Sequence, residues 1–85
     1  MAEQERIKQW LLETVRLMVD RPDDVTVEPI VVGDLVGLRI GVHPSEIGKV
    51  IGKQGRTAGS LRTIVTVIGR AQGARFALDI VEQPR

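Results

Sequence analysis

Eighty-five residues, 42% of them hydrophobic and 27% charged, suffice for one small domain over residues 1–85 and leave no room for a second. The chain has no cysteine, which excludes disulfides, a thiolate nucleophile and a cysteine-ligated zinc site. The charged N-terminus lacks a following apolar segment, no apolar run approaches membrane-spanning length, and the formal net charge is only +1, so a cytoplasmic protein is expected.

Residues 2–19 predict a helix. Ile7, Leu11, Val15 and Met18 recur at helical spacing, Trp10, Leu12, Leu17 and Val19 broaden that face, and Glu3, Arg6, Glu13 and Arg16 occupy the other. Pro22 then ends the helix. Its apolar surface is wider than one small sheet needs, which makes Trp10 and Leu17 candidates for an oligomer contact, although Trp10 also suits the core. Val25 to Val32 is rich in β-branched residues and reads as a strand, Gly33-Asp34 as a turn, and Leu35 to Val42 as its hairpin partner. Pro29 has no N–H to give a ladder and sends the first strand to a sheet edge. The second strand alternates, with Val36, Leu38, Ile40 and Val42 on one face and Gly37, Arg39 and Gly41 on the other.

His43 and Pro44 close that strand, and Ser45 is the expected N-cap of a short helix through Val50. The stretch Val50-Ile51-Gly52-Lys53-Gln54-Gly55-Arg56 follows. Two glycines bracket a basic and an amide residue, so the backbone can turn sharply and bring its N–H groups close to an anion, with Lys53 adding a mobile positive charge. A helix beginning near Arg56 would direct its positive dipole end at the same place. Downstream, Leu61, Ile64, Val65 and Ile68 share a helical face, yet Thr63 to Ile68 is β-branched throughout and read alone resembles a strand. The spacing favours a helix, capped at its end by Gly73. Arg75 to Val81 is the last strand, with Phe76, Leu78 and Ile80 inward and Gln83-Pro84-Arg85 a short tail.

Charge is unevenly divided. From Met1 to Glu46 nine acidic residues accompany five basic ones, whereas Ile47 to Leu78 holds six basic residues (Lys49, Lys53, Arg56, Arg62, Arg70 and Arg75) and no acid. Positive charge collected around the glycine stretch suits a polyanion, because Lys and Arg contacts to phosphates release counterions. A solvated basic helix face is the plainer reading of the same run.

The run Ile47-Gly48-Lys49-Val50-Ile51-Gly52-Lys53-Gln54-Gly55-Arg56, with Leu61 and Ile64 downstream, resembles the I-G-x-V-I-G-K-x-G core of KH domains and their G-x-x-G loop. The small size and the N-terminal helix make the chain similar to the stand-alone bacterial KH proteins of the KhpA family. The resemblance implies an α+β, type II KH fold of order α-β-β-α-α-β, with a three-stranded mixed sheet, three helices on one face, and the KH motif spanning about residues 35–81. It also favours the helix over Thr63–Ile68. In such domains a single strand of RNA lies between the loop with its flanking helices and a sheet edge. By that resemblance Gly52, Lys53, Gln54 and Gly55 would hold the phosphodiester backbone. Lys49 and Arg56 would pair with phosphates, and Ile47, Val50 and Ile51 would line the apolar floor while serving the core. Gly48 would allow close packing. The placement of Arg39, Arg62, Arg70 and Arg75 relative to this groove is open.

The expected function is single-stranded RNA binding through a clamp on about four nucleotides, as an RNA chaperone or a post-transcriptional or ribosome-related regulator. With two aromatic residues, Trp10 and Phe76, both outside the loop, stacking-based reading is disfavoured and affinity from one domain should be low. A homodimer, or pairing with a second KH-containing protein, would supply effective concentration. An enzyme is not expected: one histidine, no cysteine and no Ser-His-Asp set provide no catalytic residues, metal site or cofactor. The glycine spacing matches neither a P-loop nor G-x-G-x-x-G. The rival reading is an assembly module that keeps the fold with little intrinsic RNA binding.

Overall fold

Thr26–Val32 (β1) and Leu35–Val42 (β2) form an antiparallel hairpin in which Val32 pairs with Leu35 across the two-residue turn Gly33-Asp34. Gly33 holds φ at +61°, the left-handed first position that matches the twist of the flanking strands. The computed structural model describes residues 2–83. The expected orientation of the Glu3 side chain and the tail residues Pro84 and Arg85 lie outside the described residues. Arg75–Glu82 (β3) pairs parallel with β2, giving a mixed sheet of order β1-β2-β3. Parallel pairing of β2 and β3 requires a long crossover, and the chain between them supplies two helices, Ile47–Ile51 (α2) and Arg56–Ala71 (α3). Pro29 lies on the edge strand, where its missing N–H costs no ladder bond.

The N-terminal helix, Ala2–Arg16 (α1), packs against β1, and α2 and α3 pack against β3. The three helices cover one face of the sheet, making the α+β, type II KH arrangement. That face contributes Val27, Val36, Leu38, Ile40, Val42, Phe76 and Leu78 to a core completed by Ile7, Leu11 and Val15 of α1, Val25, Val50 of α2, and Leu61 and Val65 of α3. On the opposite face Arg39 and Asp79 are exposed and 3.6 Å apart.

Three local expectations are corrected. α1 stops at Arg16, not at residue 19: the N–H groups of Leu17 and Met18 bond to the carbonyls of Thr14 and Val15 at 3.2 and 2.9 Å, tightening the last turn. The chain then turns through Pro22–Asp24 and brings Val25 into the core, leaving Leu17 89% exposed. Ser45 does not cap a helix; it lies within the 3-10 turn Pro44–Glu46, where His43 Nδ1 accepts from the Ser45 N–H at 3.1 Å. Ile64 is 42% exposed, because α3 meets the sheet along Ala58, Leu61, Val65 and Gly69.

The β-branched run does form a helix. Its threonines are accommodated by bonding back to carbonyls one turn earlier, Thr63 to Gly59 at 3.0 Å and Thr66 to Arg62 at 2.9 Å. Gly73 at φ +68° closes it: its N–H bonds to the Arg70 carbonyl and that of Ala74 to the Gly69 carbonyl, a Schellman motif.

Candidate nucleic-acid interface

α2 is one turn and a half long, and Gly52 ends it by donating its N–H to the Gly48 carbonyl at 2.9 Å. At φ +78° and ψ 171°, Gly52 occupies backbone space closed to residues with a side chain. A Cβ there would also collide with the Thr57 hydroxyl. Lys53–Gly55 makes a single 3-10 turn, closed by the Gly55 N–H on the Gly52 carbonyl at 3.1 Å. Gln54 at φ +57° and Gly55 at φ +73° are both left-handed, so the chain reverses and enters α3 at Arg56. Gln54 Oε1 accepts from Arg56 Nη2 at 3.2 Å, which ties two of the expected contact side chains together on the surface. Lys53 is exposed, with no carboxylate partner among the described residues.

The expected site residues separate into two groups. Gly52, Lys53, Gln54, Gly55 and Arg56 come together in the loop and at the start of α3, with Ile51 38% exposed and Ile47 half-buried beside them. Val50 is fully buried in the core, so it cannot serve as a surface floor: in a helix this short, the residue that faces the sheet is needed to anchor it. Lys49 is also drawn away. Its ammonium is paired with Asp20 and lies 3.1 Å from Glu46 Oε2. Hydrogen bonding to Asp20 first, and to Glu46 second, raises its pKa above the ordinary 10.5. Glu46 is only 2% exposed, and its other oxygen accepts the Asp20 N–H at 2.8 Å. Asp20 lies 29 positions before Lys49, so the sequence carried no signal for this partnership.

Gly48 departs from expectation as well. Nothing lies within 4 Å of a Cβ built there, and the same holds for Gly55 and Gly59. Close packing within the chain does not require these glycines; they leave open space on the exterior around the loop. The side chain nearest in kind to a catalytic group, His43, is engaged with Ser45, its Nδ1 lying 2.8 Å from Ser45 Oγ. Among the described residues no cluster of His, Asp and Glu is placed to hold a metal ion, and no helix is long and apolar enough to cross a membrane. The arrangement offers backbone N–H groups, an amide, an ammonium and a guanidinium on an open turn, all means of holding an anion without covalent chemistry.

A family model described as KhpA/KhpB, KH domain matches residues 8–80. The RNA-binding protein KhpA of Aquifex aeolicus (strain VF5) is 49% identical over 69 residues, covering 81% of this chain and 87% of that protein. That of Bacillus subtilis (strain 168) is 36% identical over 78 residues, covering 92% and 96%. That of Mycobacterium tuberculosis (strain CDC 1551 / Oshkosh) is 46% identical over 68 residues, covering 80% and 81%.

Proposed function

The chain belongs to the KhpA/KhpB KH-domain family, which is not a family of enzymes, and from that premise we propose that it binds single-stranded RNA through the turn Gly52–Gly55. The observation that carries this reading is the contrast between two lysines of one motif. Lys49 is neutralised by Asp20 and Glu46, whereas Lys53, four residues on, has no carboxylate partner among the described residues and stands beside the linked Gln54 and Arg56. A phosphate seated on the turn would meet the N–H groups at the start of α3 and these three side chains, with Ile47 and Ile51 as the adjoining apolar surface. About four nucleotides fit such a clamp.

With so small a grip and no aromatic residue at the turn, one domain binds weakly. The protein therefore works in the cytoplasm as a homodimer or with a second KH-containing protein, as an RNA chaperone or a post-transcriptional or ribosome-related regulator. The test is fluorescence anisotropy with short labelled single-stranded RNAs, comparing the parent with the Lys53→Asp/Gln54→Asp variant across salt concentrations. Aspartate tolerates the left-handed backbone at position 54, so the variant is expected to keep its circular dichroism while binding is abolished. Equal binding by parent and variant would place the RNA elsewhere; no binding by a folded parent would favour an assembly module.

A further inference from the structure

Of the two lysines in the motif, Lys49 is the one the fold already occupies, and its two carboxylate neighbours hold it by different means. Glu46 is fixed. One of its oxygens accepts the Asp20 N–H at 2.8 Å, and the other is buried beside the Lys49 ammonium at 3.1 Å with nothing else to bond. Asp20 is not fixed in this way: its side chain is 84% exposed and accepts from Lys49 alone among the described residues. Its backbone N–H stays on Glu46 wherever the side chain points, so the connection between α1 and β1 need not move if the carboxylate swings away. An exposed ion pair of this kind is weak in water, because both groups hydrate well and salt screens them. Lys49 lies three residues before Gly52, about 4.5 Å along α2 at 1.5 Å per residue. Its flexible stem therefore sets a point charge beside a strand that leaves the turn toward the α1–β1 connection.

We propose that Asp20 is an internal competitor of RNA: its carboxylate occupies Lys49 in the free protein and is displaced by a phosphate of the strand next to the Gly52–Gly55 turn, while Glu46 keeps the ammonium in position. The proposal rests on the clamp reading above and adds the residue that limits its affinity. One anion replaces another at a single cation. The phosphate prevails because its capture releases a counterion condensed on the strand, whereas a lone carboxylate carries no such atmosphere. The exchange reads no base, so Asp20 lowers affinity for every sequence alike.

The experiment is a double-mutant cycle on the full chain, read by anisotropy with a fluorescein-labelled oligouridylate of about ten nucleotides, well beyond the ~4 held at the turn. Asp20→Asn keeps the backbone bond to Glu46 and is expected to bind about two- to fivefold tighter than Asp23→Asn, the factor by which an ordinary surface ion pair holds Lys49 back. Asp23→Asn removes the same charge from an exposed residue of the same connection that has no ion pair among the described residues. Lys49→Gln should bind more weakly than the parent, with a slope of log K against log salt shallower by about 0.7, one phosphate on a single strand. In the Lys49→Gln background, Asp20→Asn should gain no more than Asp23→Asn. A Lys49→Gln variant with the parent's affinity and slope overturns the proposal, because Lys49 then stays with Asp20 in the complex. So does an Asp20→Asn gain that is no larger than that of Asp23→Asn, or one that persists without Lys49 as a general charge effect. Circular dichroism checks that each variant is folded; should Lys49→Gln fail to fold, the comparison of Asp20→Asn with Asp23→Asn decides. Lys53→Asp/Gln54→Asp separates the two readings: if it binds as the parent does, the clamp fails on its own, and the exchange at Lys49 is judged by the cycle. A folded parent that binds no RNA overturns both.

Discussion

Gly52 and Gly55 look equivalent in the motif, but the structure burdens them differently. Both have positive φ, while only Gly52 has a neighbour, Thr57, where a Cβ would go. Gly55→Ala should cost about 1–2 kcal/mol, the ordinary penalty of a left-handed alanine. Gly52→Ala adds the Thr57 collision to a backbone cost of about 1–3 kcal/mol and should lower the melting temperature further, at about 4–8 °C per kcal/mol in a domain of this size. Equal losses in thermal denaturation would show that crowding by Thr57 is not limiting. Lys49 offers a second residue-scale test. Its raised pKa means that the ammonium is favoured in the folded state, so its contribution is fully present below the unfolded value of 10.5 and disappears as the pH climbs through the folded value. The stability difference between the parent and Lys49→Gln should therefore stay constant across neutral pH and close only in the alkaline range. Closure near neutrality would contradict the pairing with Asp20 and Glu46.

At the scale of elements, α3 is the segment in which local preference and final structure disagree most. Six consecutive β-branched residues, Thr63 to Ile68, disfavour a helix, and sixteen residues are near the lower limit for an isolated helix in water. What makes it helical is burial of Ala58, Leu61, Val65 and Gly69 against the sheet and the Schellman closure at Gly73, while the hydroxyls of Thr63 and Thr66 are accommodated by donating to carbonyls one turn earlier. A synthetic peptide of residues 56–71 is accordingly expected to show little helix by far-ultraviolet circular dichroism. A strongly helical peptide would mean that the sheet is not needed to impose the conformation. The same element explains why Ile64 is exposed against expectation. Its spacing fits an apolar stripe, but the stripe that meets the sheet is narrower than the apolar surface of the helix.

For the whole molecule, the decisive tie joins distant segments. Buried Glu46, just before α2, accepts the N–H of Asp20 after α1, and Lys49 bridges the two carboxylates. Glu46→Ala leaves that part-buried N–H without its acceptor and should cost about 1–3 kcal/mol in urea denaturation, while leaving Lys53 and its turn in place for RNA. A stability equal to the parent's would show that the tie is dispensable. Much of the protein was legible without coordinates. The strand alternation of Val36 to Val42, the edge position of Pro29, the turn at Gly33 and the glycine-bracketed turn all follow from local physics: side-chain periodicity, a missing N–H, and backbone space open only to glycine. The sequence by itself therefore determined the α+β element order, the family and the place of the turn. Tertiary structure alone decided that Val50 is core and that Lys49 is neutralised while Lys53 is clear of the carboxylates among the described residues. The reason is physical: burial and charge pairing depend on which distant residues the fold brings within a few ångströms, and no local pattern encodes that Asp20 will meet Lys49.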